Sequence, residues 1–232
     1  MGLIRRTRKS TAYSAENKSC NLRPTLMLTP LAPDKLLSQK DDFPFYAEAA
    51  PEEFLRILEE DLQLLEPQIH ALMKPADTAL FGGGCPRTGL LWALEGLAWK
   101  PDQLLRISLI LAKLAERKIT DNWANKPDAS LEAIYRWWMP QTAASLADRK
   151  KALETLARRF PAAAWRICLD QSTIGHYNHR PRWRSDASGA GQPDTGHEAH
   201  KFRRAALDLA LAWQHHDATT RGALVVFGTW AG

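Results

Sequence analysis

Cysteine is scarce in this sequence of 232 residues, which contains only Cys20, Cys85 and Cys168. The three are far apart, in neither metal-ligand nor disulfide spacing, which suits a reducing compartment, and we expect Cys168 to be a small buried apolar residue. The sequence also lacks an apolar run of the roughly 18 residues that a transmembrane helix needs, because charged residues interrupt the richest stretch, residues 104–115. We therefore predict a soluble cytoplasmic protein that does not span a membrane.

The net charge of +5 is confined to one end of the chain. Residues 1–40 contain eight basic and two acidic side chains, which leaves the remaining chain close to neutral. Because this segment has almost no apolar periodicity, we predict a basic, largely disordered leader over residues 1–40. A transit peptide and a nucleic-acid-binding arm remain alternatives for its first residues. The body of the protein is not basic.

An internal repeat is the most informative feature of the sequence. Three segments begin with proline and carry an apolar residue, Arg and Ile at the fourth, fifth and sixth following positions: Pro51–Ile57, Pro101–Ile107 and Pro161–Ile167. Proline is tolerated in the first turn of a helix, where its missing N–H needs no partner. An Ala-Leu-Glu-x-Leu-Ala block precedes the second and third segments, at residues 93–98 and 152–157. Each unit therefore reads as a helix, a short turn and a proline-initiated helix.

Such a hairpin cannot bury its apolar face alone, so stacking is expected. The fold class predicted is all-α, a short α-solenoid of helical hairpins over residues 41–213. A further helix is predicted from Ser130, as its N-cap, to Trp138. We expect its tryptophans to lie in the core, and a binding platform is the alternative. Residues 206–213 repeat the Ala-Leu-acidic pattern and predict the start of a fourth unit. The tail, residues 214–232, is predicted to be irregular and to mark a truncated repeat of a longer array.

A glycine-rich segment, residues 82–89, is a weak candidate for a phosphate-binding loop. Leu90 and Leu91 stand where such a loop has its Lys and its Ser or Thr, so we interpret the segment as a turn that leads into a helix capped by Thr88. The sequence has no nucleophile elbow or comparable catalytic motif. We therefore expect no cofactor and no enzymatic activity.

Two pairs of histidines occur late in the chain: His176 with His179, and His197 with His200. Four imidazoles can bind zinc, but the polar, glycine-rich segment 185–196 between the pairs does not fix their geometry. We predict solvated or backbone-bonded histidines, and a zinc site remains the alternative.

The binding site predicted from the sequence comprises Arg180, Arg182, Trp183 and Arg184. Guanidinium groups next to an indole suit contacts with an acidic protein or with phosphate and a stacked base. The alternative is a loop whose Trp183 packs against the helices while its arginines pair with nearby carboxylates.

From about Phe45 to Trp213 the chain resembles the helical region of large bacterial STAND-type NTPases that are linked to antiphage defence. The residues that carry this resemblance are Ala49–Leu55, Thr88–Trp99, Trp138–Thr142 and His179–Arg184. The resemblance implies a helical array downstream of a nucleotide-binding core, which senses a partner or holds the switch off. This chain has no Walker A lysine, so it corresponds to the sensor portion.

The function expected from these observations is protein–protein interaction, with another protein or the remainder of a larger polypeptide as the partner. Nucleic-acid binding through the basic leader and the Arg180–Arg184 segment is the second hypothesis. Its signature is an affinity that falls steeply with salt, because phosphate contacts release counterions.

Overall fold

The computed structural model describes residues 28–75, 84–171 and 196–213, together with Thr220 and Gly222. All regular structure within these residues is helical, so the prediction of an all-α fold is confirmed. The α-helices are α1 (Pro33–Ser38), α2 (Phe43–Ala49), α3 (Pro51–Asp61), α4 (Thr88–Leu97), α5 (Leu104–Ala115), α6 (Pro127–Tyr135), α7 (Leu146–Arg159), α8 (Pro161–Asp170) and α9 (Gly196–Leu211). Gln68–Met73 and Pro101–Gln103 are 3₁₀ helices.

The chain divides into two compact units, residues 1–93 and 94–232. No helix in the described ranges has the length and apolar character needed to cross a bilayer.

The three repeated prolines all begin helical segments, as predicted from the sequence. Pro51 begins α3, Pro161 begins α8, and Pro101 begins the 3₁₀ turn that continues into α5. The repeat is also visible in the packing, because the third and sixth residues after each proline are at most 3 % exposed: Phe54, Ile57, Leu104, Ile107, Ala164 and Ile167. The arginine between them is exposed or half-buried in every copy. The shared sequence thus specifies one buried face.

Two of the proline-initiated helices follow the same one-residue hinge. Ala50 joins α2 to α3 with φ −149° and ψ 72°, and Phe160 joins α7 to α8 with φ −137° and ψ 66°. The N–H of each hinge residue closes the preceding helix, and its C=O accepts from the fourth residue beyond it. Because proline disfavours the α conformation in the residue before it, the first helix ends there and the second begins at once.

In the first two copies of the repeat a third helical element follows the proline-initiated helix, and the sequence placed it less well. The 3₁₀ helix Gln68–Met73 follows α3, and α6 follows α5. The predicted N-cap at Ser130 is wrong, because α6 already begins at Pro127. Ser130 lies inside the helix, where its hydroxyl donates to Glu95 Oε1 at 2.7 Å. Trp137 and Trp138 lie beyond the end of α6 and are half-buried rather than core residues.

Helices of the second unit stack in chain order, as in an α-solenoid. Helix α5 packs against α6 and α7, α8 packs against the same two helices, and α9 packs across α7 and α8. The side chain of Tyr135 joins three of these helices, since its OH lies 2.7 Å from Ser108 Oγ and its ring stacks on Phe202. The Arg149 guanidinium is fully buried above the Phe202 ring, at 5.0 Å. These contacts connect α5, α6, α7 and α9.

The first unit contains α1, α2, α3 and the 3₁₀ helix Gln68–Met73, against which both α1 and α3 pack. The buried carboxylate of Asp61 accepts hydrogen bonds from the backbone N–H groups of Gln68 and Ile69, at 3.0 and 2.9 Å. Both N–H groups lie at the start of the 3₁₀ helix, where a negative charge is stabilising. Asp61 therefore fixes the direction in which the chain leaves α3.

Helix α1 lies within the leader predicted for residues 1–40. Leu36 of α1 is 1 % exposed, as is Leu28 just before it. The prediction of disorder is therefore wrong for residues 28–40, because these two leucines are buried in the core. The basic composition of the segment did not indicate this. Residues 1–27 lie outside the described residues, as does the predicted C-terminal tail apart from Thr220 and Gly222.

The glycine-rich segment ends in a close backbone contact. Helix α4 begins at Thr88 itself, one residue earlier than the predicted Thr88 cap implies. A Cβ on Gly89 would overlap the carbonyl oxygen of Lys40, whereas a Cβ on Gly84 would meet nothing within 4 Å. Gly89 is therefore required for packing against the residues that follow α1.

Candidate interaction surface

The four binding residues predicted from the sequence, Arg180, Arg182, Trp183 and Arg184, lie outside the described residues. So do two of the four histidines, whereas His197 and His200 lie on α9. Within residues 28–75, 84–171 and 196–213 there is no group of three or more His, Cys, Asp or Glu side chains that could hold a metal ion. Because His176 and His179 lie outside those residues, the zinc alternative stays a prediction.

A cluster of aromatic and cationic side chains forms where α9 passes the loop after α6. We call Trp137, His200 and Arg203 the cationic–aromatic cluster. The rings of Trp137 and His200 lie 5.4 Å apart, and the Arg203 guanidinium lies 5.1 Å from the centre of the Trp137 ring. Arg203 Nε also donates to the backbone C=O of Gln171 at 3.1 Å. Two contacts thus hold Arg203 in one orientation.

The indole N–H of Trp137 is buried, and it has no hydrogen-bond acceptor among the described residues. A buried donor without an acceptor costs about 1–3 kcal/mol. The imidazole of His200, which is exposed, and the guanidinium of Arg203 provide further N–H groups beside this donor. The N–H groups of His200 and Arg203 therefore match an acceptor-rich group such as a carboxylate.

An ionic contact between α6 and α8 supports the loop that carries Trp137. Arg166 on α8 forms ion pairs with Asp128 and with Glu132 on α6, the latter at 2.9 Å. Burial raises the pKa of Glu132, and Arg166 acts in the opposite direction. These pairs join the two helices immediately before the chain reaches Trp137.

Arg136, the first residue after α6, acts electrostatically on the end of α8. Burial raises the pKa of Asp170, the last residue of α8, and the charge of Arg136 opposes that shift. The Arg136 guanidinium also lies 5.3 Å from the centre of the Trp138 ring.

Helix α9 has two distinct faces. Its inner face packs against α7 and α8, and the residues on it are at most 4 % exposed: Ala199, Phe202, Ala206 and Ala210. A second set of residues, spaced four, three and four apart, consists of His200, Arg204, Leu207 and Leu211, which we call the α9 flank. Leu211 is 66 % exposed, and Arg204 is exposed while paired with Asp208 at 2.9 Å.

The repeat shows how Leu207 differs from its counterparts. Leu207 stands between an alanine and an acidic residue, as do Leu94 in α4 and Leu153 in α7. Those two leucines are at most 2 % exposed, whereas Leu207 is only half-buried. The α9 flank is therefore less covered than the same position in the preceding units.

No protein-family model, no curated protein and no solved structure matches this chain. The function is therefore inferred from the residues of the chain itself.

The sequence alone did not predict this surface, although Trp137 and His200 had each been noted for other reasons. Trp137 was assigned to a predicted helix and to the core, and His200 to a solvated pair. The helical spacing of His200, Arg204, Leu207 and Leu211 is the signal that could have indicated a second face on α9. What the sequence could not show is that the loop after α6 lies against α9.

Proposed function

We propose that this chain is a helical-repeat module that binds another protein, rather than a self-sufficient enzyme. In keeping with the resemblance to STAND-type NTPases, we assign it to the sensor or regulatory array of a larger bacterial signalling or defence protein that acts in the cytoplasm. The observation that carries the proposal is the cationic–aromatic cluster beside the exposed α9 flank.

The chemistry of this surface supports protein recognition. Tryptophan and arginine are enriched among the residues that contribute most to protein–protein binding. Arg203 is already held by Trp137 and by the Gln171 carbonyl. Its side chain therefore loses less conformational entropy when a partner binds. Stacked helices provide the rigid base that such a surface needs.

Nucleic-acid binding is the second hypothesis, and its predicted site, the basic leader with Arg180–Arg184, falls largely outside the described residues. The observation in its favour is the row of Lys201, Arg203 and Arg204 on α9. We expect a labelled single-stranded oligonucleotide to bind only weakly at physiological salt. Tight binding that falls steeply with salt and disappears when Arg180, Arg182 and Arg184 are replaced by Ala would favour this hypothesis instead.

The proposed function is tested by quantitative affinity capture from bacterial lysate with three forms of the full chain. They are the unaltered protein, the double variant His200→Ala/Arg203→Ala, and the matched control Lys150→Ala/Lys151→Ala on the exposed side of α7. We expect a defined set of proteins to be enriched by the unaltered chain and the control, and to be lost with the double variant. Circular dichroism verifies that all three are folded.

Identical captured proteins for all three forms would contradict the proposed site. Capture of no protein above background by the unaltered chain would contradict the proposed function itself.

A further inference from the structure

We infer that the α9 flank binds an amphipathic helix of the partner, with acidic residues at one end and leucine-like residues at the other. The inference rests on the proposed function, because it specifies the chemistry of the partner at the same surface. It follows from the spacing, the charge and the incomplete burial of the flank.

The spacing of the flank is that of a helix–helix contact. His200, Arg204, Leu207 and Leu211 are four, three and four residues apart, which is the spacing with which one helix presents a continuous stripe to another. The inner face of α9 is already buried against α7 and α8. The flank is a separate stripe, which an additional helix can cover without displacing those contacts.

Charge divides the flank into two halves. The first nine residues of α9 carry Lys201, Arg203 and Arg204 against Glu198, and Arg204 also pairs with Asp208 one turn further on. The helix then ends in the exposed Leu211. A matching helix therefore has carboxylates opposite the cationic half and apolar side chains opposite Leu207 and Leu211. Carboxylates accept charge-assisted hydrogen bonds from arginine in well-defined geometry.

The same features argue against nucleic acid as the ligand of this surface. Leu207 and Leu211 offer nothing to a phosphate backbone. The Trp137 ring already contacts His200 and Arg203, so it does not provide the open platform on which bases stack. A peptide helix uses both halves of the flank, and a nucleic acid uses only one.

The packing of the preceding repeats supports a helical occupant. Leu94 and Leu153 are almost completely buried, and Leu207 at the corresponding position is not. A helix on the α9 flank would continue the stacking that α7, α8 and α9 already show. The partner therefore extends an existing helix interface rather than forming a new kind of contact.

Fluorescence anisotropy with the full chain and synthetic peptides tests this inference. The probes are helical peptides with leucines at the spacing of the flank and with glutamates in the first or the last half. Counterparts carry Gln or Lys in place of Glu, and a single-stranded oligo-dT is the nucleic-acid probe. We expect one Glu peptide to bind about tenfold more tightly than its Gln counterpart, which corresponds to about 1.4 kcal/mol.

Variants of the full chain assign that binding to the flank. Arg204→Glu is expected to weaken binding of the Glu peptide about tenfold and to strengthen binding of the Lys peptide. A merely structural role of Arg204 would not produce this reversal. Lys150→Glu is the matched control, because it makes the same change of charge at an exposed position on α7. Leu211→Ser is expected to weaken the binding of every peptide, whatever its charge.

Equal binding of the Glu and Gln peptides, or tighter binding of oligo-dT that Leu211→Ser leaves unchanged, would overturn the inference. Failure of the Glu peptides together with successful affinity capture would reject the acidic helix and leave the proposed function intact. No binding in either experiment would reject both.

Discussion

Replacing Asp61 by alanine removes a buried carboxylate that accepts two backbone hydrogen bonds, from Gln68 N–H at 3.0 Å and from Ile69 N–H at 2.9 Å. A hydrogen bond to a charged group contributes about 1.5–3 kcal/mol. The Gln68 bond is only partly buried, so we take the lower value for each and expect a loss of about 3 kcal/mol. Asp61→Asn keeps one acceptor and should lose about half as much.

Urea unfolding followed by circular dichroism measures this loss. With a slope of about 2 kcal/mol per molar urea, Asp61→Ala should lower the midpoint by about 1.5 M. Hydrogen exchange at the Ile69 amide should accelerate, which localises the effect to the start of the 3₁₀ helix. The control is Glu60→Ala, which removes an exposed carboxylate that pairs with Arg56 and should cost less than about 1 kcal/mol.

A loss for Asp61→Ala no larger than that for Glu60→Ala would refute the reasoning. In that case water would have replaced the carboxylate at the two N–H groups, and Asp61 would not fix the exit of the chain from α3.

Three further predictions concern packing and burial. Gly89→Ala should destabilise the chain by about 2 kcal/mol, because the added Cβ overlaps the backbone. Gly84→Ala, whose Cβ meets nothing within 4 Å, should leave the melting temperature unchanged. Equal melting temperatures for the two variants would contradict this. Tyr135→Phe should cost about 1 kcal/mol in urea unfolding, because it removes the 2.7 Å bond to Ser108; an unchanged midpoint would show that bond to be neutral. Burial raises the pKa of Cys168 to about 12, so its thiol stays protonated at pH 8. Mass spectrometry should find it alkylated by iodoacetamide only in denaturant, and native labelling at the rate of a free thiol would count against its burial.

Local patterns in the sequence predicted the helices well where a proline marks the start. Pro51, Pro101 and Pro161 begin helical segments. The fixed φ and the missing N–H of proline suit the first turn of a helix, whatever the helix later packs against. The same rule, applied to Pro127, would have corrected the predicted start of α6 at Ser130. Cys168 was expected to be buried and is fully buried.

The candidate surface was less predictable than the helices. Trp137 and His200 are 63 residues apart in the sequence, and nothing local indicates that their rings meet. Their contact depends on the packing of α9 across α7 and α8, and on the ion pairs that hold α6 against α8. Such contacts are long-range, so composition and periodicity do not encode them individually.

By itself, the sequence determined the all-α class, the proline-initiated helices and the buried positions that recur after each proline. These properties follow from backbone restrictions and from helical spacing, which act over a few residues. Only the tertiary structure decided that a third helical element belongs to the repeat, that Leu28 and Leu36 are core residues, and that Arg203 lies over Trp137. These features depend on which surfaces meet, and that is fixed by the packing of the whole unit rather than by any short stretch of chain.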